Sequence, residues 1–130
     1  MGRRKSFNQS EVLNKISMVF VQYGFEGTSL DLLVNATGLL RGSLYAAFGS
    51  KLGMFIAALK ENINHGKDSF VTTYLMVIAM MELTSNNVEV KQIVLNWYHT
   101  QSQVDIELTL GRALLHKSGL LGGIDDGKQS

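Results

Sequence analysis

The stretch "TGLLRGSLYAAFGSK", residues 37–51, decides the fold of this sequence because it joins two short helical patterns through a glycine. Gly38 permits a sharp turn after the first pattern, and Leu39 supplies an apolar side chain that can enter the core. Leu44 and Phe48 then stand four residues apart, which predicts that they share the buried face of a helix. The outward face of that helix keeps small and polar residues, namely Arg41, Gly42, Ser43 and Tyr45.

Three further helices are predicted in the first half of the chain, from apolar residues that recur at steps of three and four. The first covers residues 10–23, and the second follows Thr28 or Ser29 as its N-cap. The last runs from its cap at Ser50 to about His65. The predicted buried residues of this half are Val12, Leu13, Ile16, Val19, Phe20, Tyr23, Leu30, Leu33, Val34, Leu44, Phe48, Met54, Phe55, Ala58, Leu59 and Ile63.

The second half predicts two longer helices. Asp68 caps one that runs to about Leu83, and the pair of Asn86 and Glu89 resembles a capping box at the start of the other. The last helix is expected to continue to Ser118, and its apolar stripe is Val90, Val94, Trp97, Gln101, Val104, Leu108, Gly111 and Leu115. With no strand pattern of useful length, the expected fold class is all-α.

Composition excludes several classes of protein. The 130 residues are 45% hydrophobic and 18% charged, as in an ordinary globular protein. Without cysteine there is no disulfide framework and no thiolate metal site. The three histidines lie far apart and no catalytic motif surrounds them, so we expect neither an enzyme nor a metal or cofactor site. No apolar segment is long enough to span a membrane and no secretory signal is apparent, so we expect a cytoplasmic protein.

Charge is divided unevenly along the chain although the net charge is only +1. Residues 1–67 carry eight Lys and Arg against four Asp and Glu, whereas residues 68–130 carry four against seven. A basic first half favours a polyanionic partner for that half. The cluster Arg3, Arg4 and Lys5 is interpreted either as a mobile arm attracted to nucleic acid or as a solvated terminus.

Two short helices joined by a tight turn beneath a longer first helix predict a helix-turn-helix, whose second helix enters the major groove of DNA. In that arrangement Arg41 can offer its guanidinium fork to guanine, and Gly42 permits close approach of the backbone. The hydroxyls of Ser43 and Tyr45 can donate to phosphate or base. Lys51, in the first turn of the next helix, adds a cation to a helix N-terminus, and Thr28 is expected to act in the same way at the second helix.

The run "YGFEGTSLDLLVNATGLLRGSLYAAFGSK", residues 23–51, resembles the DNA-binding domain of the TetR/AcrR family of bacterial transcriptional regulators. Its Gly-Phe, Thr-Ser, Ala-x-Gly, Gly-Ser-Leu-Tyr, x-x-Phe and Ser-Lys elements follow the family's order and spacing. The resemblance implies a homodimer that represses from a near-palindromic operator and is released by a small molecule. By position the resemblance implies DNA contacts at Thr28, Arg41, Ser43, Tyr45 and Lys51, and Ser29 and Gly42 complete the set of candidate DNA-binding residues.

The sequence departs from the family pattern at several positions near the proposed interface. Leu40 stands where a Ser or Thr usually caps the recognition helix, and losing a cap typically costs about 1 kcal/mol. Leu32 replaces a polar residue on the second helix. Two further pairs also differ from the family's usual residues: Ala46 with Ala47, and Leu52 with Gly53.

The resemblance divides the chain into a helix-turn-helix domain (1–50), a connecting helix (51–66) and a shortened helical regulatory and dimerisation region (67–130). The candidate residues for a small apolar effector are Met80, Trp97 and Gln101, because pockets place a few polar groups in apolar walls. Gln101 is equally interpreted as bonding to a neighbouring helix.

An interaction protein is the alternative hypothesis. In that interpretation the chain pairs with another regulator or a different protein, rather than acting alone on DNA. Leu32, Leu40, Leu52 and the uncovered helices of the second half would supply its apolar contact surface.

Overall fold

A computed structural model of the protein describes residues 7–66 and 68–120, and these residues form seven helices and no strand. The predicted all-α class is confirmed. The chain divides into two compact units, Met1–Lys67 and Asp68–Ser130. The helices are α1 (Gln9–Tyr23), α2 (Leu30–Thr37), α3 (Arg41–Phe48), α4 (Lys51–His65), α5 (Ser69–Glu82), α6 (Val88–His99) and α7 (Gln103–Lys117).

The first unit is built on the packing of α1 against α4, with α2 and α3 attached to this pair. Three phenylalanines form its centre: Phe20 on α1, Phe55 on α4 and Phe25 in the loop after α1. The ring centroids of Phe20 and Phe55 lie 5.1 Å apart, and those of Phe25 and Phe55 lie 5.6 Å apart, both nearly edge to face. This geometry suits the aromatic quadrupole and fixes the loop that leads into α2.

A buried polar pair also joins α1 to α4. The Asn62 amide donates to the Ser17 hydroxyl at 2.8 Å and to the carbonyl of Ala58 at 2.9 Å. Ser17 in turn donates to the carbonyl of Leu13 at 2.7 Å. Because both side chains are buried and hydrogen-bonded, α1 and α4 have one favourable register, which an apolar contact alone would specify less strongly. The region predicted as a separate connecting helix, residues 51–66, is thus a packed part of the first unit.

Side-chain caps fix the starts of α1, α2 and α4. Asn8, Ser29 and Ser50 each accept a hydrogen bond from the backbone N–H three residues later. The predicted cap at Ser50 is confirmed, and Ser29 rather than Thr28 caps α2. Leu40 occupies the N-cap position of α3, but its side chain makes no capping hydrogen bond to the first turn of that helix.

The junction between α3 and α4 depends on Gly53. A Cβ placed there would lie 2.0 Å from the carbonyl oxygen of Phe48, so the start of α4 approaches the end of α3 too closely for a side chain. The two helices meet at a bend of 63°.

In residues 7–66 and 68–120 no single helix has the length and apolarity to cross a membrane, and only α3 and α4 taken together pass that test of length and composition.

In the second unit α5 packs against both α6 and α7. Asp68 caps α5 by accepting from the N–H of Phe70, as predicted. Asn87, and not Asn86, caps α6 by accepting from the N–H of Val90. The buried apolar residues of this unit are Leu75, Met76, Ile78, Ala79, Leu83, Val90, Val94, Trp97, Ile106 and Ala113.

The prediction of one continuous last helix is wrong, because the chain breaks between His99 and Gln103. The Thr100 hydroxyl donates to the carbonyl of Trp97 at 2.6 Å, and the Gln101 amide donates to the Thr100 hydroxyl at 2.8 Å. Local bonds of this kind compete with the helical ladder, and Ser102 then takes an extended conformation. The break resets the helical phase, so the predicted stripe is correct for Val90, Val94 and Trp97. On α7, Ile106 and Ala113 are buried, while the predicted residues Val104, Leu108, Gly111 and Leu115 are exposed.

The uncapped start of α3 yields a stability prediction. Leu40→Ser should raise the free energy of unfolding by about 1 kcal/mol, because the hydroxyl can accept a first-turn N–H. Urea denaturation measures the change. Leu40→Ala is the control, because it removes the exposed apolar side chain without adding an acceptor. Equal stabilisation by both variants would contradict capping as the cause.

Candidate nucleic-acid interface

The turn between α2 and α3 holds the two helices in a fixed relation. Gly38 adopts a left-handed conformation with φ of 77° and ψ of 6°, and its N–H donates to the carbonyl of Val34 at 2.8 Å. Leu33 of α2 and Leu44 of α3 are both fully buried. Leu39, in the turn itself, is half-buried. The apolar side of α3 is therefore fixed to the core, and its opposite side faces solvent.

The exposed side of α3 carries the residues that the sequence analysis assigned to it. Arg41, Ser43 and Tyr45 are exposed, and so is Gly42. A Cβ at Gly42 would meet no atom within 4 Å, so the space in front of this turn is open. An α-helix with its side chains is about 10–12 Å in diameter, and the major groove of B-DNA is about 12 Å wide, so α3 can enter the groove.

Arg41 is paired with Asp31 of α2. Its Nη2 donates to the Asp31 Oδ1 at 2.5 Å, and both side chains are mostly exposed. A guanidinium has five N–H donors in a planar fork, and this contact orients the fork from one edge. Asp31 was not among the expected interface residues, because a pairing over ten positions in sequence leaves no periodic signal.

Lys51 bridges the starts of α4 and α2. Its ammonium donates to the carbonyl of Thr28 at 3.0 Å and lies 4.6 Å from the centroid of the Phe25 ring. This contact fixes the loop that carries the Ser29 cap, so Lys51 has a structural role that the sequence analysis missed. An ammonium has three donors, and the bond to Thr28 uses one of them.

Thr28 differs from its expected role as a phosphate contact. Its side chain is only 2% exposed, and its hydroxyl donates to the carbonyl of Gly24 at 2.6 Å. The hydroxyl therefore closes the loop after α1 and is not presented to a ligand, which corrects the expectation for this side chain. Ser29 beside it is exposed, and its Oγ accepts the N–H of Leu32 at 3.1 Å.

The three effector candidates are not brought together. Met80 lies on an apolar groove of about 230 Å³ between α5 and α7, which is lined by Val77, Met80, Met81, Leu110, Gly111 and Leu114. Trp97 is a buried core residue of α6, and the Gln101 amide bonds within the break after α6, to Thr100 and to the carbonyl of Trp97. Gln101 thus bonds to the end of α6 and to the adjacent Thr100, and it does not line the groove.

No group of three His, Asp or Glu side chains in residues 7–66 and 68–120 is placed to hold a metal ion. The first unit instead presents the guanidinium of Arg41, the hydroxyls of Ser43 and Tyr45 and the exposed backbone at Gly42 on one surface. These groups are suited to hydrogen bonding with phosphates and base edges.

A comparison with protein families places its match in this same unit. Residues 12–58 match the profile of the family described as bacterial regulatory proteins, tetR family. The chain is 42% identical over 71 residues to the Bacillus subtilis protein YezE, an uncharacterized HTH-type transcriptional regulator. It is 44% identical over 63 residues to ComR and 36% identical over 62 residues to BdcR, both HTH-type transcriptional repressors of Escherichia coli.

The match to YezE covers 55% of this chain and 36% of YezE. The match to ComR covers 48% of this chain and 30% of ComR, and the match to BdcR covers 48% of this chain and 32% of BdcR. The similarity therefore spans roughly a third of the length of each relative. No solved structure matches the chain.

The pair of Arg41 and Asp31 yields a prediction with two separate readouts. Asp31→Asn should raise the affinity for duplex DNA of any sequence by about threefold to tenfold at about 50 mM salt, because a negative charge beside the phosphates is removed. It should change the free energy of unfolding by less than about 1 kcal/mol, because the ion pair is exposed. Fluorescence anisotropy and urea denaturation measure the two quantities.

Glu11→Gln is the matched control, since it makes the same change in net charge on α1. An equal rise in affinity for both variants would mean that overall charge, and not the site of Asp31, controls binding.

Proposed function

We propose that this chain, whose residues 12–58 match the family described as bacterial regulatory proteins, tetR family, is a sequence-specific DNA-binding transcriptional regulator that acts as a repressor. The observation that carries the proposal is the exposed side of α3, where Arg41, Ser43 and Tyr45 surround open space at Gly42. Bound in a promoter, such a domain represses by occupying DNA that RNA polymerase needs.

Base recognition is assigned to the first turns of α3. Arg41, at the N-terminal end of that helix, is positioned to offer two parallel donors to the O6 and N7 atoms of guanine. The open space at Gly42 lets the backbone approach the base edges. Ser43 and Tyr45 follow within one turn and supply hydroxyl donors to bases or to the adjacent phosphates. The buried Leu44 keeps this side of α3 directed outward.

We assign the phosphate contacts to the N-terminal ends of α2 and α4. Ser29 and Ser50 cap the two helices, and Lys51, the first residue of α4, donates from its ammonium to the carbonyl of Thr28. Helix N-termini attract anions through their N–H groups and dipoles. With α3 in the groove, one phosphate at each helix start would fix the domain on the duplex, and the remaining donors of Lys51 would add charge there.

A homodimer and a small apolar effector complete the proposed mechanism. Two heads on a two-fold axis would read a near-palindromic operator, because symmetric proteins bind symmetric half-sites. The groove between α5 and α7 supports an apolar effector, because its walls are Met80, Met81 and aliphatic residues. Trp97 and Gln101 are left out of this proposal, since neither lines the groove.

The interaction-protein alternative is supported by one observation in the first unit. Leu40 is 76% exposed at the start of α3, adjacent in sequence to Arg41. Leu32 and Leu52 are half-buried and offer less apolar surface than expected. Co-purification of a second protein that Leu40→Ser releases would favour this alternative, and specific DNA binding by the purified chain would favour the repressor.

DNA binding is tested by fluorescence anisotropy of the purified chain on its own upstream DNA and on a scrambled duplex, at about 50 and 200 mM salt. We expect preference for the upstream DNA and a steep loss of affinity with salt. Arg41→Ala should lower the specific affinity by about tenfold or more, because a bidentate contact to guanine is worth roughly 1–3 kcal/mol. Tyr45→Phe should lower it by a smaller factor, since it removes one hydroxyl.

Lys91→Ala is the control, because it removes one positive charge from the second unit. If Arg41→Ala and Lys91→Ala weaken binding equally, Arg41 makes no specific contact. Absence of any preference for the upstream DNA would contradict the repressor assignment for that DNA.

A further inference from the structure

Leu40 departs from two local rules at the start of α3. Its side chain makes no capping hydrogen bond to the first turn, although the N-cap position favours Ser, Thr, Asp or Asn. It is also 76% exposed, which leaves a large apolar side chain in solvent. Natural proteins concentrate such departures at functional sites, where a contact with a ligand offsets the lost stability. Leu40 is therefore suited to a ligand that presents an apolar group.

The side chains of α3 limit the bases that this helix can recognise. In the major groove, adenine is typically read by Asn or Gln, cytosine by Asp or Glu, and guanine by Arg or Lys. The sequence of residues 40–48, LRGSLYAAF, contains Arg41 but no amide side chain, no carboxylate and no lysine. Ser43 and Tyr45 bring hydroxyls, which bond to different bases and to phosphates. Hydrogen bonding by α3 thus distinguishes guanine, through Arg41, better than any other base.

Thymine is the base that an apolar side chain can identify in the major groove. It alone carries a methyl group, at C5, and this group is presented in that groove. Ala46 and Ala47 are exposed on α3 and add to the apolar character of the helix surface. Among the exposed aliphatic residues of positions 40–48, Leu40 is the largest and therefore has the longest reach.

We propose that Leu40 is a specificity-determining residue, whose side chain contacts the 5-methyl group of a thymine adjacent to the guanine that binds Arg41. Consecutive Cα atoms are about 3.8 Å apart, and neighbouring base pairs are about 3.4 Å apart along the duplex. Leu40 and Arg41 are consecutive at the N-terminal end of α3, which is the end of a recognition helix that meets base edges. The two side chains therefore reach adjacent base pairs.

The open space at Gly42 permits the close approach that this contact needs. A Cβ there would meet no protein atom within 4 Å, and glycine has no side chain to hold the helix away from the bases. Apolar groups are in contact only when their carbon atoms approach to about 4 Å. Gly42 thus serves the contact between Leu40 and a methyl group as well as the hydrogen bonds of Arg41.

This inference rests on the proposed function, because it names bases that the surface of α3 recognises. It goes further in one respect: the operator half-site contains a thymine next to a guanine, and the methyl group of that thymine contributes to recognition. The experiments below separate the two claims. Binding to unmodified DNA tests the function, and the loss caused by removing methyl groups tests the role of Leu40.

Replacement of thymine by uracil removes the 5-methyl group and keeps the hydrogen-bonding groups of the base. The upstream DNA is prepared with thymine or with uracil throughout, and so is a scrambled duplex. Fluorescence anisotropy at about 50 mM salt measures the affinity of the purified chain for each of the four duplexes. We expect the upstream uracil duplex to bind at least about fourfold more weakly than the thymine duplex, because burial of one methyl group contributes roughly that factor. The two scrambled duplexes should bind equally.

The variant Leu40→Ala links this loss to one side chain. Its affinities for the upstream thymine and uracil duplexes should differ by less than about twofold, because the contact that distinguishes them is gone. Met18→Ala is the matched control, because Met18 is a 52% exposed apolar residue of α1, and it should keep the wild-type ratio. Leu40→Ser should also lose the preference for thymine although it is expected to stabilise the fold, which separates base recognition from folding.

Single substitutions in the DNA locate the thymine. Within the segment that the chain protects, each thymine is replaced in turn by uracil, and each guanine by 7-deazaguanine, which lacks the N7 acceptor. We expect one sensitive thymine in each half-site. It should lie next to a guanine whose replacement weakens binding by the wild-type chain but not by Arg41→Ala.

Equal affinity of the wild-type chain for the upstream thymine and uracil duplexes, with the preference over scrambled DNA retained, would overturn this inference and leave the proposed function intact. The inference is also wrong if Leu40→Ala keeps the full loss on the uracil duplex, because another residue then contacts the methyl group. A sensitive thymine that is not adjacent to the guanine would contradict the pairing of Leu40 with Arg41. A wild-type chain with no preference for the upstream duplex would overturn the proposed function and this inference together.

Discussion

The position of α3 depends on the cluster of Phe20, Phe25 and Phe55. These three rings fix α1 against α4 and hold the loop after α1 in place. Lys51 extends the cluster outward, because its ammonium lies over the Phe25 ring and bonds to the carbonyl of Thr28. The starts of α2 and α4 are thereby connected to one core. For the proposed role of α3 its backbone must be held in a fixed position, and this core holds the helices that flank it.

Local signals made most of the first unit predictable. The turn before α3 and the boundaries of α4 agree with expectation, because Gly38, Ser50 and the spacing of Leu44 and Phe48 act within a few residues of the structure they determine. The residues on the exposed side of α3 were predicted for the same reason. Once the apolar side of a short helix is known, the opposite side follows from geometry.

Contacts between distant residues were not predictable in this way. The ion pair of Asp31 with Arg41, the bond from Lys51 to Thr28 and the bond from Asn62 to Ser17 join positions ten to forty-five residues apart. The break after α6 was missed for a different reason. Gln101 fits the helical spacing of the predicted stripe, but the side chains of Thr100 and Gln101 bond to nearby groups where the helix breaks. As a result, residues that the pattern assigned to the core of α7 lie on its surface.

The carboxylate of Asp31 has a consequence for how a regulator of the proposed kind would find its site. A chromosome offers a vast excess of random sequence, and the time spent bound to it delays arrival at the operator. Holding Arg41 beside a negative charge weakens its attraction to any phosphate, whereas a guanine edge can still engage the remaining donors of the fork. The ion pair would thus shorten the time spent bound at each random site and speed the search, while lowering the highest affinity that the operator complex can reach.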